Sequence, residues 1–244
     1  MGFFIALQFL TIIPSPFHRA PKPGELGKAI IFFPVIGLMI GGVLYGFDYG
    51  LGLVLPAELV SALTLALAVL LTGALHMDGF MDTCDGLAGS TPEQRMRIMS
   101  DTRVGAFGVA GGIVILIVKY AALVSLPAGV RMATLLLFPI MGRWVMVYLL
   151  ARFPYAKNEG IGFLFSQQAT CLKLIIVSAL VLAPLLLLMW WQGVILLAIV
   201  WLVAMMIGLF LKSRLRGLTG DSYGAANEII ETISIIIIPL VMNI

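Results

Sequence analysis

Charge is scarce in this chain. Asp, Glu, Lys and Arg make up 11% of 244 residues, and hydrophobic residues make up 61%. Soluble domains carry about 25% charged residues. Little room is left for any soluble domain, and the mean hydropathy of +1.10 indicates a polytopic membrane protein. Cysteine is nearly absent: Cys84 and Cys171 lie far apart in sequence. They give no disulfide framework and no zinc-ligand spacing, and read as small buried residues. No basic leader and no small-residue cleavage site mark Met1–Ile13, so no cleavable signal peptide is expected. The net charge of +3 is modest, and no nucleic-acid partner is expected.

The apolar stretches are Ala29–Phe47, Glu58–Leu75, Gly105–Leu126, Ala133–Leu150, Leu174–Trp191, Val194–Leu211 and a shorter Ile229–Ile244. A crossing helix needs about 17–25 residues, so the last must begin earlier, near Gly224. Met1–Ile13 is too short to cross and is expected to be an interfacial or re-entrant helix. Twelve of the fifteen basic residues fall in alternate loops: Arg19, Lys22 and Lys28; Arg95, Arg97 and Arg103; Arg152, Lys157 and Lys173; Lys212, Arg214 and Arg216. The opposite loops hold only Arg131, with Asp48 and Glu58. Basic loops stay in the cytoplasm. The expectation is an all-α bundle of about seven transmembrane helices, multi-pass in the inner membrane, with its polar loops facing the cytosol.

The scarce acids are not evenly spread. Three of twelve stand within eight positions, at Asp78, Asp82 and Asp85, just after an apolar run. Their i, i+4, i+7 spacing puts them on one helical face. Carboxylates so stacked repel one another unless a cation lies between them, and Mg²⁺ prefers such oxygens and bridges to substrate phosphates. Gly79 and Gly86 reduce bulk on this helix, which would let a phosphate approach. The reading is a Mg²⁺–diphosphate site at the membrane edge.

Two further groups lie on the same side. Thr91-Pro92-Glu93-Gln94 is a helix start with Thr91 as N-cap. The short helix that follows would set Arg97 and Asp101 four apart. Asp101 would complete the metal site and Arg103 would hold phosphate, beside a Gly-lined helix start. Asp221 and Glu228 are seven apart with Gly224 and Ala225 between them, a second acidic face able to help hold cations. Of the charges inside spans, Arg143 should face the bundle interior and pair with an acid or a phosphate, and Glu231 needs a partner. Lys119 would snorkel outward. His76 falls on the face opposite the three aspartates, as an interfacial residue or a base. Arg152-Phe153-Pro154-Tyr155 reads as an interfacial anchor.

These motifs resemble a known family. His76-Met77-Asp78-Gly79-Phe80-Met81-Asp82-Thr83-Cys84-Asp85-Gly86 resembles the HxDGxxDxxDG signature of cobalamin (5′-phosphate) synthases, the adenosylcobinamide-GDP ribazoletransferases. Phe9–Pro14, Phe33–Gly37, Arg97–Gly108 and Thr219–Glu228 resemble further blocks in the same order, and Lys119 sits where the family has a lysine. Ile12-Ile13-Pro14 lacks the arginine often found in the first block.

The resemblance implies an integral membrane, Mg²⁺-dependent enzyme of late cobamide assembly, with 1–244 as a single membrane-embedded catalytic domain in contact with lipid. A ribose hydroxyl of α-ribazole, or of its 5′-phosphate, would attack the cobinamide-side phosphorus of adenosylcobinamide-GDP, and GMP would leave. Asp78, Asp82 and Asp85 are then metal ligands, with Asp82 or Asp85 accepting the nucleophile's proton. Asp101, Asp221 and Glu228 are further ligands or bases. Arg103 and Arg143 bind phosphate, and His76, Thr219 and Gly220 join them as substrate- or phosphate-binding candidates. A homo-oligomer is compatible with this sequence. The competing readings are a CDP-alcohol-type phosphotransferase, whose acid spacing differs, and an ion-coupled transporter using Asp78, Asp82 and Glu231 as carriers.

Overall fold

The computed structural model describes residues 1–16 and 22–243, so Arg19, one of the basic residues counted above, lies outside the described residues. The chain is helical: α1 (Gly2–Leu10), α2 (Pro23–Ala29), α3 (Phe33–Gly52), α4 (Ala57–Leu71), α5 (Leu75–Leu87), α6 (Pro92–Ile98), α7 (Ala106–Val124), α8 (Ala128–Arg152), α9 (Ile161–Ser166), α10 (Cys171–Met189), α11 (Gln192–Leu215) and α12 (Gly220–Met242). A 3₁₀ turn, Ile30–Phe32, joins α2 to α3. Among the described residues, extended pairing is limited to one isolated bridge. Six helices are long and apolar enough to cross a membrane, and α4 with α5 makes a seventh if the bent pair is one span. The all-α polytopic expectation holds. Helix α12 gains the length that Ile229–Ile244 lacked by starting at Gly220.

The burial pattern orders the bundle. Helix α8 is almost wholly enclosed, whereas α10 and α11 show most of their apolar surface outward. Helices α3 and α12 flank α8, and α5 lies on α12 and α7. Short α1 packs on α2 and the start of α3, burying Ile5, Leu7 and Leu10.

One break shapes the site. Thr72-Gly73-Ala74 interrupts the second apolar stretch, with Gly73 and Ala74 both left-handed at φ 59° and 56°. Successive left-handed residues cannot continue a right-handed helix. The chain turns by 88° at this break, so α5 leaves the line of α4.

The basic loops gather at one end. Arg216 pairs with Glu93 at 2.6 Å, and Arg95 donates to the Arg214 carbonyl at 3.1 Å. Lys157 reaches Ser100 at 3.4 Å. At the other end the lone basic loop residue, Arg131, is bound by Asp48 at 2.6 and 2.8 Å, with Ser61 and Thr64 completing the group. The charge asymmetry read from sequence is therefore also a spatial one.

Candidate active site

The acid face forms where α5 crosses α12, at two glycines. A Cβ on Gly79 would stand 2.9 Å from the Asp221 Cα and carbonyl oxygen, and one on Gly224 would stand 3.1 Å from the His76 carbonyl oxygen. Only residues without a side chain let the two backbones approach so closely. Gly79 thus serves helix packing, and Gly86 lies against Met99, which corrects the expectation that they clear a path for phosphate. Gly79→Ala is expected to lower stability by about 1–3 kcal/mol through overpacking and to reduce turnover by parting the two acidic helices. Thermal unfolding in detergent and a turnover assay check both.

The crossing brings Asp78 and Asp82 of α5 beside Asp221 in the first turn of α12. Burial first, then the charges of Asp78, Asp221 and Asp85, push the Asp82 carboxyl up to about 6, with Lys157 opposing. Asp221 also lies within reach of Asp78 and of Lys157. Lys157 is a residue the sequence reading counted only for topology. Its loop is pinned by paired backbone: Ala156 N–H donates to the Leu218 carbonyl and Leu218 N–H to the Pro154 carbonyl, each at 2.8 Å. Tyr155 stacks on Tyr223 at 6.1 Å rather than anchoring at an interface.

Several expected members stand elsewhere. Each Asp85 oxygen accepts one hydrogen bond from the start of α7: Gly105 N–H donates to one and Gly108 N–H to the other, each at 2.7 Å. Asp85 therefore caps the otherwise unsatisfied amides of α7. Asp101 pairs with Arg103, not Arg97, because α6 ends at Ile98. The Arg103 guanidinium holds Asp101 down at about 2, which makes it a poor proton acceptor. Both are exposed, and among the described residues Asp101 is not one of the charges felt by Asp82.

Glu228 lies two helical turns below Asp221, because seven residues advance about 10.5 Å. There it binds Lys119 at 2.6 Å, and Lys119 also binds Glu231 at 2.8 Å. Arg143, 1% exposed, closes the group on Glu231. The two cations and two carboxylates balance, deep among α7, α8 and α12. This corrects two expectations: Glu228 is not at the acid face, and Lys119 does not snorkel. Arg143 faces the interior as expected, and of its two expected partners it meets an acid and not a phosphate. His76 is buried at 2% exposure, with its Nε2 lacking a partner.

Thr219 is the N-cap of α12. Its Oγ1 accepts from Ser222 N–H at 3.1 Å while its own N–H donates to Ser222 Oγ at 3.2 Å. It is fully buried, so it positions Asp221 rather than meeting substrate. Gly220 lines a cavity of about 200 Å³ that opens beside Asp78 and Asp221 and is walled by residues of α1, α3, α8 and α9.

Does this face fit Mg²⁺? Among the described residues no three His, Cys, Asp or Glu side chains are gathered as a finished metal site. The donor chemistry does fit: Asp78, Asp82 and Asp221 offer hard carboxylate oxygens whose mutual repulsion is opposed by Lys157 alone of the charges that act on Asp82. Such sites are commonly completed by substrate phosphates.

Fold and site define an all-helical, multi-pass membrane protein with an acidic face at its basic end. Residues 2–239 match the family described as Cobalamin-5-phosphate synthase. Similar full-length proteins include the adenosylcobinamide-GDP ribazoletransferase of Geotalea daltonii, 37% identical over 230 residues, covering 94% of this chain and 93% of that one. That of Desulforamulus reducens is 35% identical over 240 residues, covering 97% and 95%. That of Acinetobacter baumannii is 38% identical over 237 residues, covering 95% and 94%. No solved structure matches the chain. The chain belongs to the cobalamin-5-phosphate synthase family.

Proposed function

We propose that this chain joins α-ribazole, or its 5′-phosphate, to adenosylcobinamide-GDP with release of GMP, at the cytosolic face of the inner membrane. The observation that carries the site reading is the Gly79–Gly224 crossing, which sets the acids of α5 against Asp221 of α12. A ribose hydroxyl bonds to the cobinamide-side phosphorus, the bond from that phosphorus to the GMP oxygen breaks, and GMP leaves with the electron pair. Asp82, among the acids of this face, is the group assigned to take the hydroxyl proton. Asp78, Asp82 and Asp221 would hold Mg²⁺, which when bound neutralises charge on the diphosphate. Lys157 supplies a further positive charge at the same face. The transporter alternative loses one of its carriers, since Glu231 is held by both Lys119 and Arg143.

Purified protein in liposomes, given both substrates and Mg²⁺, should yield GMP and the joined cobamide in equal amounts, and EDTA should abolish both. GMP released without a joined product would overturn the reading. Protons compete with the metal for Asp82. Apparent Mg²⁺ affinity should therefore rise as pH increases through about 6 and flatten above it. Calorimetric Mg²⁺ titration across that range checks this, and Asp82→Asn should remove most of the slope.

A further inference from the structure

The 200 Å³ cavity beside the acid face has walls unlike its rim. Phe9, Phe33 and Phe165 form one side, with ring centroids 4.9–5.9 Å apart. Met146 and Leu150 of α8 add to the apolar lining, and Asp78 and Asp221 stand at the polar edge. The hydroxyl of Tyr223, a lining residue 3% exposed, is buried and lacks a partner. A buried polar atom without a partner is costly, so its presence here points to a ligand that carries a matching group.

We propose that this cavity seats the base of the incoming nucleoside: a flat, apolar, fused bicycle with a single free ring nitrogen, which accepts a hydrogen bond from the Tyr223 hydroxyl. This rests on the transfer reaction proposed above. A cavity of about 150 Å³ takes one benzene ring, and the present one, about 200 Å³, is suited to one fused bicycle. A corrin macrocycle is far too large for it. Guanine is small enough, but its edge carries several donors and acceptors that a wall of three phenylalanines leaves unpaired, and buried groups left unpaired reject a ligand. The benzimidazole of ribazole has one free nitrogen and apolar edges. Seated against the three phenylalanines, it leaves its ribose toward Asp78 and Asp221, where the attacking hydroxyl is needed.

The test separates binding from turnover. Equilibrium dialysis of the full-length protein in detergent measures α-ribazole binding directly, without the second substrate. Free benzimidazole should displace it, and GMP should not. Tyr223→Phe, which removes one oxygen and keeps the ring, should weaken α-ribazole binding on the order of tenfold. In turnover it should raise KM for α-ribazole while leaving KM for adenosylcobinamide-GDP unchanged. Nucleosides with a purine base should bind more weakly than α-ribazole to the wild type, with the gap narrowing in the variant. Unchanged α-ribazole affinity in Tyr223→Phe, or displacement by GMP in place of benzimidazole, would overturn the assignment. A wild type that binds α-ribazole in this way yet forms no cobamide contradicts the proposed reaction and not the subsite. Turnover whose α-ribazole KM ignores Tyr223→Phe contradicts the subsite and not the reaction.

Discussion

Asp82→Asn is expected to lower turnover by about 10²–10⁴-fold, the span of a lost general base, without lowering stability. The asymmetry follows from the surroundings of Asp82. Burial and three nearby carboxylates raise its carboxyl to about 6, so its charge is unwelcome in the resting protein. Neutralising it relieves repulsion, and the folded state should be held as well or better. Asp85→Asn should behave in the opposite manner. Asp85 accepts one backbone N–H on each oxygen, and an amide can offer only one acceptor oxygen. Its loss should appear first as a lower unfolding temperature and only secondarily as lower turnover. Paired measurements of activity and unfolding in detergent separate the two aspartates, although sequence spacing treats them alike.

Glu231→Ala is the substitution expected to damage the fold most. It strips Arg143 of its acidic partner and leaves Lys119 with Glu228 alone, all within the bundle. Breaking a buried pair by removing one member costs about 3–5 kcal/mol. The cost comes from the uncompensated cation, so removing the cation too should recover most of it. Arg143→Met combined with Glu231→Met leaves one cation and one carboxylate, Lys119 and Glu228, still balanced. The double variant should unfold well above Glu231→Ala. If both unfold together, the group's balance of charge is not what holds α7, α8 and α12 in register.

Much of this architecture was legible in the sequence because hydropathy and charge placement are local signals. The spans, the one-ended basic loops and the α6 N-cap at Thr91 all follow from residue type and short spacing. The three aspartates on one face were legible too, but not their division of labour. That depends on α7 starting beside Asp85, a meeting of segments twenty residues apart. Helical periodicity placed Asp221 and Glu228 on one face correctly, but a face does not say depth, and two turns separate a site residue from a buried ion pair. Lys157 was visible only as a loop charge. What brings it to the acids is the backbone pairing of its loop with Leu218, which residue type does not encode. Likewise the aromatic cavity draws Phe9, Phe33 and Phe165 from three separate elements, and none of the three carries a signal of its own.

On the proposed reading, α5 and α12 together build one divalent-cation site. Electron paramagnetic resonance of Mn²⁺ titrated into the purified protein, with and without GDP to supply a diphosphate, tests it without relying on turnover. Wild type should bind Mn²⁺ most tightly with GDP present. Asp82→Asn and Asp221→Asn should each lose most of that binding, while Glu228→Gln, altered at the buried ion group, should retain it in the folded fraction. Full Mn²⁺ binding by both aspartate variants, or its selective loss in folded Glu228→Gln, would contradict the account.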